Sequence, residues 1–271
     1  MSENKQKGVA LVTGASMGIG AVYADRLARR GHDVVLVARD GARLGALAER
    51  LAAETGRHVE VLVADLAKPD DLLAVEARIR NEPRLDLLVN NAGILVAGTM
   101  AAADIDATQR MIDLNVSALT RLTLAALPGF VARGDGAVIQ IASVVPLLPE
   151  RFANIYASTK AYVLHFSQAL NVELADTGVR VQAVLPGATA TAIWEKAGQP
   201  VETLPQEMVM SADDMVDAAL AGFDQGEAVT IPSLPDAADW DAFNAARLKL
   251  APNLSLKRPA ERYRASRNAA A

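Results

Sequence analysis

Apolar runs of strand length alternate along this chain with amphipathic stretches of helix length, and nothing else in it restricts the fold as much. Residues 9–13, 34–38, 59–63, 87–90, 137–142, 180–185 and 228–231 read as strands; 19–29, 41–54, 70–81, 104–127, 155–175 and 212–223 read as helices. A strand that rejoins its sheet through a helix makes a right-handed crossover and a parallel neighbour. The expected fold is therefore α/β, a doubly wound parallel sheet with helices on both faces. The hydrophobic residues, 51% of the chain with only 4% aromatic, are mostly Ala, Val and Leu, which suits helices packed on such a sheet. A length of 271 residues fits a single domain over 1–271, without linker or internal repeat.

Two segments break the rhythm. Residues 188–210 form a long connection rich in Pro, Thr and Gly, and connections of that length inside compact domains serve as lids or binding segments. Residues 232–271 form a C-terminal helical appendage, with one helix expected at 236–250 and a basic, Ala-rich end that reads as a frayed tail.

Composition removes several functions. A formal net charge of -5 argues against a nucleic-acid partner. No cysteine is present, which excludes disulfides, thiolate zinc sites and cysteine nucleophiles. His32, His58 and His165 have no ligand spacing, so no metal is expected. Residues 1–7 lack a signal-peptide core, and no apolar run of about 18 residues is evident, so the expectation is a cytoplasmic protein without membrane association. The sequons at Asn115 and Asn253 are then read as chance.

The first strand runs into Thr13-Gly14-Ala15-Ser16-Met17-Gly18-Ile19-Gly20, and a helix follows. Glycines let a backbone turn tightly and approach a pyrophosphate, while the helix N-terminus supplies N–H groups and a positive dipole end. This makes the fold Rossmann-like and places a nucleotide at Gly14, Ser16, Gly18, Ile19 and Gly20. The same residues fit the Gly-x-Ser-x-Gly elbow of a hydrolase. Such an elbow follows several strands, however, whereas one strand precedes this loop, and the only late histidine, His165, lies mid-helix. At the end of the second strand, NAD binders place an acid on the ribose 2′-hydroxyl. Here Ala38 stands in that place and Arg39 follows. A guanidinium can bind a 2′-phosphate, so NADP(H) is predicted; the plain alternative is a solvated cap residue. Asp40 reads as the N-cap of the next helix.

Tyr156 and Lys160 are four residues apart on a predicted helix, one turn apart on one face. A free tyrosine titrates near ~10, and a neighbouring ammonium favours the phenolate, so the pair can act as a tuned acid/base. Alone, such a pair is common by chance.

Its company decides the matter. The 13–20 loop, Asp65-Leu66, Asn90-Asn91-Ala92-Gly93, Asn115, Ser143, Tyr156-x-x-x-Lys160, and Pro186-Gly187 with Thr191 follow one another in order. In this the chain resembles the short-chain dehydrogenase/reductase family over roughly residues 8 to 231. The resemblance implies a catalytic set of Tyr156 as acid/base, Lys160 as its electrostatic partner, Ser143 as the donor to the substrate carbonyl, and Asn115 as the anchor of a relay water. It also implies cofactor contacts from Asp65 and Leu66 to adenine, from Asn91, Ala92 and Gly93 to the adenosine ribose, from Tyr156 and Lys160 to the nicotinamide side, and from Pro186, Gly187 and Thr191 to the nicotinamide amide. Dimers or tetramers through the 104–127 and 155–175 helices are implied as well. Met17, Thr159 and Thr189 depart from the family pattern.

The reaction expected is reversible hydride transfer between NADPH and a carbonyl carbon. Leu95, Val96, residues 144–148 including Val145, Ile193 and Trp194 supply an apolar substrate wall, so a medium-sized hydrophobic ketone or aldehyde, or its alcohol, is expected. Lys196 is the one candidate handle for an anionic group. The alternative is a catalytically silent NADP-binding regulatory or scaffold protein of the same fold.

Overall fold

The computed structural model describes residues 7–152, 154–196, 198 and 200–263. Residues 1–6 and the end of the basic tail fall outside these. The strands are β1 (Val9–Thr13), β2 (Asp33–Ala38), β3 (Val59–Val63), β4 (Leu85–Asn90), β5 (Gly136–Ile141), β6 (Val179–Val184) and β7 (Val229–Thr230). They lie in the order β3-β2-β1-β4-β5-β6-β7, and every neighbouring pair is parallel. The predicted doubly wound sheet is what the chain forms.

Successive residues of the central strands face opposite core layers, so these strands are largely apolar without alternation, whereas β3 and β6 carry Glu60, Arg180 and Gln182. On one face α1 (Gly18–Arg29), α2 (Gly41–Thr55) and α8 (Ala212–Asp224) bury Tyr23, Leu27, Leu44, Leu51 and Leu220 against Ala10, Val12, Leu36 and Ile139. On the other, α3 (Pro69–Arg80), α5 (Leu119–Arg133) and α6 (Ile155–Glu173) bury Val75, Leu122, Phe130 and Leu170 against Leu11, Val35, Leu88 and Val138. Each such buried Leu or Phe contributes about 1.5–3 kcal/mol.

Two boundaries differ from expectation for physical reasons. β4 begins at Leu85 rather than 87 because Asp86 is accommodated inside the strand: its carboxylate accepts from Gly8 N at 2.8 Å and faces His32 Nδ1 at 3.1 Å. The segment predicted as one helix to 127 runs on past Pro128 to Arg133, held by the buried Leu127 and Phe130, and ends at Gly134 with φ 63. It is also divided: α4 (Ile105–Ile112) and α5 are joined by a π-helical turn, Asp113–Ala118. Taken together, Ile105–Arg133 is long and apolar enough to cross a membrane, with mean hydropathy 1.3 in its best window. This corrects the expectation that no such stretch exists. The same helix packs Leu122, Ala126 and Phe130 into the core beside β4 and β5.

The chain divides into two compact units, one up to Pro232 and one from Ser233. The second contains a helix, Ala237–Leu248, N-capped by Asp236, with the Trp240 and Phe243 rings stacked at 5.4 Å.

Candidate active site

Strand order reverses between β1 and β4, and in open α/β sheets ligands bind in the crevice beyond the carboxyl ends of the strands at such a point. The glycine loop occupies it. Gly14 and Gly18 have φ of 67 and 53, and a Cβ on Gly20 would lie 2.3 Å from Gly14 O. The loop is braced from below: Asn91 Nδ2 donates to Thr13 O at 2.8 Å and Gly14 O at 3.3 Å, while Thr13 Oγ1 accepts from Asn91 N and Ala92 N, both at 3.0 Å. The Asn91 amide nitrogen is thus engaged by the loop. The α1 N-terminus has no side-chain cap, whereas Asp40, Asn154 and Ser211 cap α2, α6 and α8. An uncapped helix start behind a cradle too tight for side chains fits a pyrophosphate.

Arg39 follows β2 and is exposed, with no ion pair among the described residues. Asp65 has its carboxylate engaged, accepting from Ala67 N at 3.2 Å and facing Arg110 at 3.6 Å, and Leu66 is buried in the α3 core layer. Thr191 lies against the loop: a Cβ on Gly18 would sit 3.1 Å from its Cγ2. The 186–191 segment and the glycine loop therefore border one cleft.

Tyr156 and Lys160 lie in the first turns of α6, which Asn154 caps through Ala157 N at 2.8 Å. Lys160 is buried, its Nζ donating to Ile141 O at 2.7 Å and standing 5.6 Å from the Tyr156 ring centroid. Asn115, on the π-turn, is fully buried. Its Oδ1 accepts from Ile94 N at 2.9 Å, and its Nδ2 donates to Ile94 O at 2.9 Å and Thr159 Oγ1 at 3.2 Å. Gly93 joins these two residues: a Cβ there would lie 3.2 Å from Asn115 Oδ1 and 3.7 Å from Lys160 Nζ. Ser143, just past β5, donates to Pro186 O and accepts from Val145 N, both at 3.3 Å.

The electrostatics correct one expectation. Burial, not the ammonium, dominates Tyr156 and pushes its phenol pKa up, while burial pushes the Lys160 ammonium down to about 8. Desolvation opposes both charged forms. Lys160 stays mostly protonated at pH 7. In this state Tyr156 is a proton donor beside a positive charge, not a preformed base.

On the substrate side, Leu95, Val145, Ile193 and Trp194 are half-buried. Residues 188–210 are pinched at their base by a parallel bridge between Thr189 and Met210, with Ala190 N donating to Met210 O and Met210 N to Ala188 O, both at 2.9 Å. Within the segment, Ile193–Lys196 form one helical turn and Trp194 Nε1 donates to Thr189 O at 2.9 Å. The Lys196 side chain lies outside the described residues.

Sequence reasoning missed Ile94 and Arg110, which act on the site residues through backbone hydrogen bonds and one ion pair and carry no motif; it quoted Thr13 only as the start of the glycine loop, though its Oγ1 accepts from Asn91 N and Ala92 N. It noted Thr159 only as a departure, though Thr159 Oγ1 donates to Tyr156 O at 2.7 Å.

A family model described as short chain dehydrogenase matches residues 8–202. An uncharacterized oxidoreductase of Staphylococcus saprophyticus is 35% identical over 187 residues, 69% of this chain and 80% of that protein. Among solved structures, a short-chain dehydrogenase from Sphingobium yanoikuyae in complex with NADPH is 53% identical with a TM-score of 0.92, covering 95% of this chain and 100% of its own. A bulky-bulky ketone specific alcohol dehydrogenase from Comamonas testosteroni is 44% identical with a TM-score of 0.88, covering 96% of this chain and 99% of its own.

Proposed function

The chain belongs to the short chain dehydrogenase family and is an oxidoreductase, and on that premise we propose that it moves a hydride between NADP(H) and the carbonyl carbon of a hydrophobic ketone or aldehyde. The observation that carries this reading is the convergence on the Cβ position of Gly93 of Lys160 Nζ, from the helix that also bears Tyr156, and Asn115 Oδ1, from the π-turn.

NADPH, when bound, supplies the hydride. The glycine loop and the α1 N-terminus hold its pyrophosphate, and Arg39 takes the 2′-phosphate. Tyr156 gives its proton to the carbonyl oxygen as negative charge develops there. Ser143 turns its hydroxyl from Pro186 O to that oxygen and stabilises it. Lys160 lowers the cost of the phenolate left behind. Asn115, rigid in its hydrogen bonds to Ile94, fixes the floor beneath Lys160. In the oxidative direction the proton returns to Tyr156.

Arg39 and the NADPH complex of the Sphingobium neighbour support NADP(H) over NAD. The apolar Leu95, Val145, Ile193 and Trp194 support a hydrophobic carbonyl substrate, as does the bulky-ketone specificity of the Comamonas neighbour. Leu124 and Val131 on α5 and Tyr162 and Val172 on α6 are exposed, and the assembly we propose is a homodimer or homotetramer that covers them.

The test is Tyr156→Phe assayed with NADPH and a panel of aryl, aliphatic and steroid ketones. Turnover should collapse while NADPH binding persists. Unchanged turnover removes Tyr156 as the acid, and activity confined to charged substrates removes the hydrophobic-carbonyl reading.

A further inference from the structure

We propose that Thr159 is a positioning residue: its hydroxyl sets the Asn115 amide in register with the peptide of Tyr156. The proposal rests on the oxidoreductase reading of the same site. Thr159 is 3% exposed. Its Oγ1 donates to Tyr156 O at 2.7 Å and accepts from Asn115 Nδ2 at 3.2 Å. A threonine in a helix that bonds the carbonyl three residues back has its χ1 fixed and its lone pairs aimed outward. Here they point at Asn115.

The Asn115 amide has two N–H donors and one oxygen. Ile94 takes one donor and the oxygen, and Thr159 takes the other donor. Ile94 alone leaves the amide tied to the segment after β4, with nothing joining it to α6. The Thr159 contact is the one side-chain hydrogen bond between the π-turn and α6 among the described residues. It therefore locks two separately folded pieces, the π-turn under Lys160 and the helix turn that carries Tyr156 and Lys160. Threonine and serine both supply this oxygen. Valine keeps the shape and removes the bond.

Two variants test it, Thr159→Val and Thr159→Ser, each read in two ways. In the nucleotide-free protein, labelled at asparagine side-chain nitrogen, one Asn115 Nδ2 proton should exchange with solvent about tenfold faster in Thr159→Val and at the wild-type rate in Thr159→Ser. In turnover with NADPH and the best ketone of the panel, kcat should fall about tenfold in Thr159→Val with KM for NADPH unchanged, and recover in Thr159→Ser. Unaltered exchange in Thr159→Val overturns the proposal, and so does equal loss of kcat in both variants. Tyr156→Phe run alongside separates the two ideas. If it still turns over, Tyr156 is not the acid, the reading of this site on which the proposal rests fails, and the exchange rates alone judge Thr159. If it is dead while Thr159→Val matches wild type, only the Thr159 proposal fails.

Discussion

Lys160 Nζ donates to the main-chain oxygen of Ile141 at 2.7 Å, so the ammonium is anchored to the last residue of β5 rather than to an acid. A buried cation without a counter-ion lowers the stability of the fold that holds it. Its folded pKa of about 8 lies below the ordinary 10.5, so between those values the unfolded chain binds the extra proton. Stability from this group therefore rises as pH climbs from about 8 towards about 10.5, and below 8 the penalty is constant. Lys160→Met should show no such rise and should melt at or above the wild-type temperature at pH 7, because it removes the penalty, while kcat/KM falls about a hundredfold or more. Calorimetry at pH 7 and 9.5 alongside steady-state kinetics checks both halves.

The same titration should appear in the reaction. Burial holds the Tyr156 phenol protonated well into the alkaline range, so its own ionisation does not limit reduction near neutrality. Loss of the Lys160 proton does. A pH profile of kcat/KM for ketone reduction should be flat below pH 8 and decline above about 8. A profile rising through that range would transfer control to another group.

Arg39 stands exposed at the end of β2 without an ion-pair partner among the described residues, available to an incoming phosphate. Arg39→Ala should weaken NADPH binding about tenfold or more and leave NADH within about twofold, as a charge-assisted phosphate contact of roughly 1.5–3 kcal/mol implies. Fluorescence titration with both nucleotides measures this. Equal losses would place the 2′-phosphate elsewhere.

Gly93 leaves little room for a side chain beside Asn115. A methyl there would press to 3.2 Å on Asn115 Oδ1, which Ile94 holds in place. Gly93→Ala should therefore fold with a slightly lower Tm and lose about tenfold in kcat, consistent with a strain of about 1–3 kcal/mol. Wild-type kcat in this variant would mean that the Asn115 amide is not held as tightly as its hydrogen bonds indicate.

The sheet was legible because apolar runs such as Val34 to Val37 permit little else. What escaped the sequence depends on partners far along the chain. Asp86 reads as a strand end until Gly8 and His32 are found on its carboxylate. The predicted helix ends at 127, yet α5 runs on through Pro128, with Leu127 and Phe130 buried on either side of it. Asn91 reads as a ribose ligand by resemblance, yet its amide braces Gly14. The Tyr156–Lys160 spacing was visible, but the balance between attraction and desolvation was not, since burial is a property of the whole packing.

The bridge between Thr189 and Met210 bears on how such a protein changes. It closes the base of the excursion with main-chain bonds alone, which any sequence can make. On the proposed reading, the stretch beyond Thr191, which itself lies against the glycine loop, is an exchangeable cassette: replacing it alters what the cleft admits and leaves the cofactor side in place. Selection can therefore diversify specificity here at a low risk of misfolding, and grafting the corresponding segment of a relative between Thr191 and Met210 is the natural way to redirect such a protein.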